Sequence, residues 1–430
     1  MKYSALSLLL AGVMAASMWF YFQRVLIPHQ IADAAANDHP RGNLSDLYPR
    51  WWGAHELLLH GRDPYSEEVT REIQQGYYGR VLNPERAGDP KDQQGFVYPA
   101  YVVFLLAPTL HWRFPTVQRA FLALLWVLTA ATVPLWLRAL RWRVSLAMVA
   151  TLVVLTLGSL PAVQGLKLQQ LSLLVAGLLA MCAAAVAAGY FALAGILLAL
   201  ATIKPQLVWL LALWLLAWAF RDWRRRQRLV WAFGATMLLL AGGAELVLPG
   251  WISQFRAAVG NYQAYTHLSI LGLLFTRLGG EVAAFVLILF AAWFGWPLLA
   301  ENEDSPQFRL MLALVLALTT VVIPMFAPYN QLLLLPAILL ALRRRKELWQ
   351  GNRSLRLILV VSALLLFWPW IATVGLTVCA LAAPHTNLPG WRLPYLGSLL
   401  LPILLFALIA LWGMDLRSKP RTTQSFSTSA

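Results

Sequence analysis

The sequence predicts an all-α fold: a polytopic membrane protein with about twelve transmembrane helices and a large first external loop containing surface-lying helices. Three observations predict it. Of 430 residues, 60% are hydrophobic and only 12% charged, with mean hydropathy +0.63, whereas a soluble domain carries about 25% charged residues. Long apolar runs recur at 144–157, 171–188, 282–294, 310–326, 357–370 and 396–412. With their flanks, several are long enough to cross roughly 30 Å of hydrocarbon. The basic residues gather in short loops between these runs: Arg138, Arg141 and Arg143; "RDWRRRQR" at 221–228; "RRRK" at 343–346; and Arg417, Lys419 and Arg421. That is the positive-inside pattern, and it orients these loops toward the cytoplasm.

The N-terminal "MKYSALSLLLAGVMAASMWFYF" carries a single lysine and no A-x-A site ahead of a soluble domain. It reads as an uncleaved first helix ending near Phe22, with its N-terminus inside. Residues 26–95 then lie outside. They hold seven Lys/Arg against eleven Asp/Glu, a balance opposite to that of the basic loops. Residues 97–110 are apolar but make a helix of only about 21 Å, and Pro99 and Pro108 bracket it. As a span it would put Arg138–Arg143 outside, so it is expected to be surface-lying or re-entrant. The first external loop is therefore 26–110, and 117–137 crosses inward.

Residues 144–161 cross outward, "PAVQGLKLQQ" (161–170) lies outside, and 171–188 return. The next apolar stretch, "FALAGILLALATIKPQLVWLLALWLLAWAF", has Lys204-Pro205 at its centre. A lysine at the bilayer midplane costs at least about 2.5–3.5 kcal/mol, and proline breaks the helical ladder. A hairpin of two short helices with Lys204 at the outer surface avoids that cost. Residues 229–248 go out, 249–280 form an external loop, and spans near 281–299, 309–326, 331–342, 357–381 and 395–413 complete the series.

The net charge of +15 sits in the basic loops, where lipid headgroups are its partner; nucleic acid is not expected. Cys182 and Cys379 fall in apolar segments and read as packing residues. No Walker A, GxGxxG or Cys/His metal spacing is present, so nucleotide-driven chemistry at the inner face, a metal and a cofactor are not expected. Polar groups instead collect on the outer face: the Asp46 region, Tyr98, Gln164, Lys167, Gln169, Gln170, Lys204, Gln206, the loop with Asn261, Gln263, His267 and Arg277, and Tyr329-Asn330-Gln331.

An ordered set of motifs runs through these positions. A first helix is followed by "D-x-Y-x-x-W…L-x-x-G-x-D-P-Y", then "F-V-Y-P", "G-x-x-x-Q-Q-L-S-L-L" and "A-G-I-L-L-A-L-A-T-I-K-P". From about residue 4 to residue 342 this succession resembles glycosyltransferase family 87, known from polyprenol-phosphate-mannose-dependent mannosyltransferases of actinobacteria. The resemblance implies a GT-C fold, a polyprenyl-phosphate-linked sugar donor, and a glycan or glycolipid acceptor at the outer membrane face. It implies a catalytic module at 1–342, with C-terminal transmembrane helices at 343–413; the polar residues 414–430 read, by composition, as a disordered cytoplasmic tail. The family's catalytic aspartate, early in the first external loop, maps onto Asp46. Ala100 stands where the family's "Y-P-P" has its second proline, and "APYNQ" lacks the histidine some relatives place nearby; both positions bear on the acceptor.

Such a donor is already activated. The enzyme needs a base for the acceptor hydroxyl and cations for the departing phosphate, and attack opposite the leaving group inverts the anomeric centre. Asp46 is the expected base. Lys204, with Arg50, Lys167 and Arg277 behind it, is expected to hold the phosphate. Trp51, Asp63, Tyr98, Gln169, Gln170, His267 and Asn330 are the cavity candidates. Each has a plainer alternative. Asp46 can cap its helix or pair with Arg50 at i+4. Lys204 can snorkel to headgroups, Asp63-Pro64-Tyr65 is a turn signal, and Trp51, Trp52 and Tyr98 suit an interfacial belt. His55 and His267 read equally as surface residues. The competing functional classes are a lipid-linked-sugar transporter, which would favour internal repeats and midplane charges, a surface-glycan polymerase or ligase, and a non-catalytic scaffold.

Overall fold

The computed structural model of the chain describes residues 2–43, 45–83, 85–86, 88–89, 94–265, 269–383 and 390–418. It is all-helical, 80% helix, with no strand among the described residues. The first helix is longer than expected. α1 (Lys2–Phe20) passes through a π-helical stretch, Tyr21–Leu26, into α2 (Ile27–Ala36), and Ala5–Ala36 is one 32-residue apolar rod. Pro28 is the second residue of α2, just past the π-helical stretch, an irregularity that lets a helix pass a proline. The start of the first loop therefore moves from residue 26 to about residue 37.

That loop builds α3 (Tyr48–His60) and α4 (Glu67–Tyr78). Gly61 ends α3 in the left-handed region at φ 66°, where a side chain would be strained. Ser66 caps α4 by accepting from the Val69 N–H. α5 (Val102–Leu106) and a 3-10 turn at Ala107–Thr109 follow. Five α-helical residues cannot cross a bilayer, in keeping with the expectation that 97–110 does not span.

α6 (Phe114–Ala139) is a full span. α7 (Leu146–Leu157) and α8 (Leu160–Leu168) are bent by 57° at their junction. The segment expected as an outer loop at 161–170 is thus mostly helix, started by the Ser159 cap and Pro161 in its first turn. α9 (Leu171–Ala187), α10 (Phe191–Ala201) and α11 (Pro205–Arg221) are short. The expected break at Lys204-Pro205 is present, with Pro205 in the first turn of α11, where its missing N–H does no harm.

The remainder is α12 (Trp223–Val247), α13 (Trp251–Tyr265), α14 (Ile270–Leu274), α15 (Arg277–Gly295), α16 (Pro306–Val322), a 3-10 turn at Pro328–Leu334, α17 (Leu335–Arg343), α18 (Arg345–Gln350), α19 (Arg353–Ala382) and α20 (Leu400–Ser418). Among the described residues six helices are long and apolar enough to cross a membrane, or seven if α7 and α8 make one bent span. Four further apolar helices, α9, α10, α11 and α16, have 10–17 residues. The chain is a multi-pass membrane protein built from long and broken helices, and these six or seven spans and four shorter apolar helices do not establish the expected twelve. α20 continues to Ser418, so residues 414–418 are helical rather than part of a tail; residues 419–430 lie outside the described residues.

One apolar core runs from Leu47 to Trp412, and a smaller one joins α1, α8 and α19. The basic loops meet at one end of the bundle. Arg141 pairs with Asp304, Arg225 with Glu303, and Arg343 donates to the Leu140 carbonyl. Arg141 also donates to the carbonyl of Ala187 at the end of α9, at 3.1 Å. The 17 residues of α9 place its beginning about 25 Å away, and the candidate site gathers there.

Candidate active site

The turn between α8 and α9 builds the floor of the site. Gln169 has φ 53°. The Gln170 N–H reaches back to the Gly165 carbonyl at 2.9 Å, and the Gln169 N–H reaches the Leu166 carbonyl at 3.2 Å. This is a left-handed helix ending with a non-glycine residue at its tip. It reverses the chain so that Gln170 becomes the N-cap of α9, yet its side chain makes no cap bond. The amide faces outward from the turn instead.

The strand of chain ahead of α3 is laid across this floor. The Asp46 N–H donates to the Leu168 carbonyl at 2.8 Å. Ser45 Oγ donates to Gln169 Oε1 at 2.6 Å, and Gln169 Nε2 donates to the Gln118 carbonyl on α6 at 2.9 Å. Gln169 is therefore a buried tether. Asp46, held between Ser45 and α3, is half-buried. Its Oδ1 accepts from the Tyr77 hydroxyl of α4 at 3.1 Å, and its Oδ2 accepts from Gln170 Nε2. Burial, then the Asp46 charge, holds the Tyr77 phenol above its usual range, so it stays a donor. The N-cap of α3 is Leu47, with no side-chain cap bond. Arg50 Nη1 donates to the Asp46 backbone carbonyl at 2.6 Å rather than to the carboxylate. The Asp46 carboxylate thus turns to Tyr77 and Gln170, away from its own helix.

Lys204 comes from the break between α10 and α11. It is 7% exposed, so it is buried rather than at the outer surface expected for the hairpin, and it does not snorkel to headgroups, the plainer alternative for it. Its Nζ donates to Gln170 Oε1 at 3.1 Å and to Ser172 Oγ at 2.7 Å. Ser172 Oγ donates in turn to Asn330 Oδ1 at 2.8 Å. One amide therefore bridges the carboxylate and the ammonium. Its orientation follows from chemistry: Lys204 can only donate and an ionised Asp46 can only accept.

Tyr98 lies between two cations. The Arg50 guanidinium sits 4.5 Å from its ring centroid and Lys204 Nζ 5.8 Å; Lys204 is also 5.3 Å from the Tyr329 ring. Arg50 Nε is buried without a hydrogen-bond partner. Burial works against its charge, but Tyr98, Asp46, Tyr262 and Tyr329 outweigh it and leave the guanidinium more firmly protonated than usual. Among the described residues neither Arg50 nor Lys204 has a carboxylate oxygen within ion-pair distance.

The other candidates fall elsewhere. Lys167 points toward α1, 5.4 Å from the Trp19 ring. Arg277 is 69% exposed and pairs with Glu281 at 3.5 Å. These contacts do not bring either residue to Asp46, Arg50 or Lys204. Trp51 is 6% exposed, packed against Phe114 at 5.3 Å and His55 at 5.6 Å, which leaves no open face for a sugar. Asp63 Oδ1 accepts from the Tyr65 N–H at 2.8 Å, the turn role its Asp-Pro-Tyr context signals. His267 lies outside the described residues. Tyr77 and Ser172 were not singled out from sequence. Ser172 stands inside "Q-Q-L-S-L-L", whereas Tyr77 carries no local signal.

His55, Glu56 and His60 form a group able to hold a metal ion, with ligand atoms within 4.8 Å of one another. The Glu56 oxygens already bond to His55 at 2.9 Å and accept from Arg62 at 2.8 Å, and His60 Nδ1 lies 3.2 Å from Oε2. A guanidinium on the same oxygen opposes a second cation there.

A family model, glycosyltransferase family 87, matches residues 96–328, more than half of the chain, and the chain belongs to that family. The match includes Tyr98, Gln169, Gln170, Ser172 and Lys204 and ends short of Asp46 and Asn330 on either side. No curated protein and no solved structure matches the chain.

Proposed function

We propose that this membrane glycosyltransferase transfers a hexose, with inversion, from a polyprenyl-phosphate donor to a hydroxyl of a glycan or glycolipid, with mannose as the first sugar to test. One observation carries the reading: two cations without a carboxylate partner, Arg50 and Lys204, flank one tyrosine ring beside an oriented carboxylate. Unpaired buried cations are expensive, and an anionic leaving group supplies what they lack. The acceptor oxygen attacks the anomeric carbon and its proton passes to Asp46. The carbon–oxygen bond to phosphate breaks, and its electron pair leaves with polyprenyl phosphate, whose added charge Lys204 and Arg50 stabilise. Tyr77 and Gln170 hold the base in place. Asn330, through Ser172, holds Lys204. No metal enters these steps. The reading assigns the basic-loop end and both termini to the cytoplasm and the Asp46 end to the external face of the plasma membrane.

Vesicles containing the protein and labelled polyprenyl-phosphate-mannose provide the test. Asp46→Asn is expected to abolish transfer in a protein that remains folded at the assay temperature. Full transfer by that variant removes Asp46 from the role of base. A wild-type protein that takes sugar from no polyprenyl-phosphate donor overturns the donor assignment.

A further inference from the structure

A cavity extends from Gln331, the residue after Asn330 of the candidate site, toward the basic-loop end of the bundle. It has a volume of about 410 Å³ between α7, α8, α17, α19 and α20, within the range of sites that bury small molecules. Its walls are almost wholly leucine and other apolar side chains, running from Gln331 along one face of α17, through Ile338 and Leu342, to Arg345. There it meets a pocket of about 300 Å³ lined by Arg345, Lys346, Trp349, Gln350 and Leu359. Arg345 and Leu359 belong to both.

The chemistry along this path is graded. At the mouth, Arg345, Lys346 and Trp349 are exposed. Arg345 makes a 3.2 Å bond to the Leu342 carbonyl, and neither it nor Lys346 has a carboxylate in ion-pair range among the described residues. Beside this mouth is the cluster of basic loops, and an exposed tryptophan next to lysine and arginine is the composition of a headgroup layer. Ser362 is on α19, three residues deeper than Leu359, about one turn of helix. It lines the cavity, is 3% exposed, and its hydroxyl has no hydrogen-bond partner. A buried hydroxyl left unpaired costs free energy, so this one calls for an acceptor from a ligand. Beyond it the walls are mostly leucine and other apolar side chains, with Thr156, Ser159, Gln331 and Ser398 among them.

We infer that this path is a binding site for one anionic glycerophospholipid, with its phosphate at Arg345 and Lys346, an ester carbonyl accepting from Ser362, and an acyl chain in the cavity. The sequence of anion, acceptor and alkyl chain is that lipid's own anatomy. A polyprenyl phosphate has no carbonyl to offer Ser362. The inference does not rest on the sugar-transfer reading, since its phosphate end is at Arg345 and Lys346 in the basic-loop cluster and its lining shares no residue with the Asp46 site.

Native mass spectrometry of the full chain tests it, using delipidated protein titrated with phosphatidylglycerol, with phosphatidylcholine, and with polyprenyl phosphate. The wild type is expected to retain one phosphatidylglycerol. Arg345→Glu with Lys346→Glu is expected to lower its occupancy at least tenfold, and Ser362→Ala several-fold with unfolding temperature unchanged. The charge variant is a surface change and tests the site even where a cavity variant folds poorly. Equal retention of phosphatidylcholine, preferential retention of polyprenyl phosphate, or occupancy unmoved by both variants overturns the inference.

Discussion

Replacing Gln170 with methionine removes the bridge between Asp46 and Lys204 while keeping the side chain's length. Two charge-assisted hydrogen bonds disappear, one to each partner. Bonds to charged groups contribute about 1.5–3 kcal/mol each, so the gross loss is about 3–6 kcal/mol. Asp46 is half-buried, and water replaces part of its loss; a net destabilisation of about 2–4 kcal/mol is expected. The catalytic effect comes from position. With only the Tyr77 bond left, the Asp46 carboxylate is free to swing, and a small misplacement costs about 100-fold in rate. The decisive measurement is a double-mutant cycle with Lys204→Met, read both as unfolding free energy in detergent and as transfer rate in vesicles. If one amide links the two charges, the effects couple by about 1–2 kcal/mol. Effects that add within about 0.5 kcal/mol would show that the Gln170–Lys204 bond contributes nothing and refute the bridge.

Two further outcomes follow from the geometry. A Cβ at Gly42 would lie 1.9 Å from the Tyr77 ring, so Gly42→Ala displaces the phenol from Asp46. It should lower transfer about 10–100-fold, the worth of one bond to a charged group. The pair Gly42→Ala with Tyr77→Phe should be no worse than either alone, and additive rate losses would contradict this. Glu56 has a carboxyl held below its ordinary value of 4.5: burial opposes this, but bonds from His55 and Arg62 outweigh it. Because the folded value is depressed, its stabilisation is complete above pH 4.5 and is lost as pH falls through the folded value. Glu56→Gln should therefore cost about 1–2 kcal/mol near pH 7. The difference from wild type should shrink on acidification, measured by thermal unfolding between pH 7 and 3.5. A constant difference would exclude a titrating role.

The sequence carried much of the membrane logic, and particular residues show why. Lys204-Pro205 in the middle of an apolar stretch is a violation that only a break can resolve, and the break is there. Pro99 and Pro108 around too few apolar residues exclude a span, and α5 is five residues long. In contrast, "PAVQGLKLQQ" looks polar enough for a loop, yet Val163 and Leu166 are buried in the smaller and larger cores. Such short segments are decided by what packs on them, so the span count was legible only approximately.

For the site, residue chemistry and local motif brought Asp46, Arg50, Tyr98, Gln170, Lys204 and Asn330 into consideration before any geometry. Chain order and hydropathy could place them at one end of the bundle, since helix lengths and basic loops fix which end each turn occupies. They could not say which side of a helix each faced. Lys167 and Arg277 have the same charge as Lys204, but packing points one at Trp19 and the other at solvent. Tyr77 and Ser172 entered only because α4 folds over residue 46 and α9 starts beneath Lys204. Sequence by itself determined the family, the helical membrane class and the inventory of chemical groups. Tertiary structure alone decided which groups meet, because hydrogen bonds form over about 3 Å and no local pattern specifies distances across the 31 to 158 residues that separate the partners.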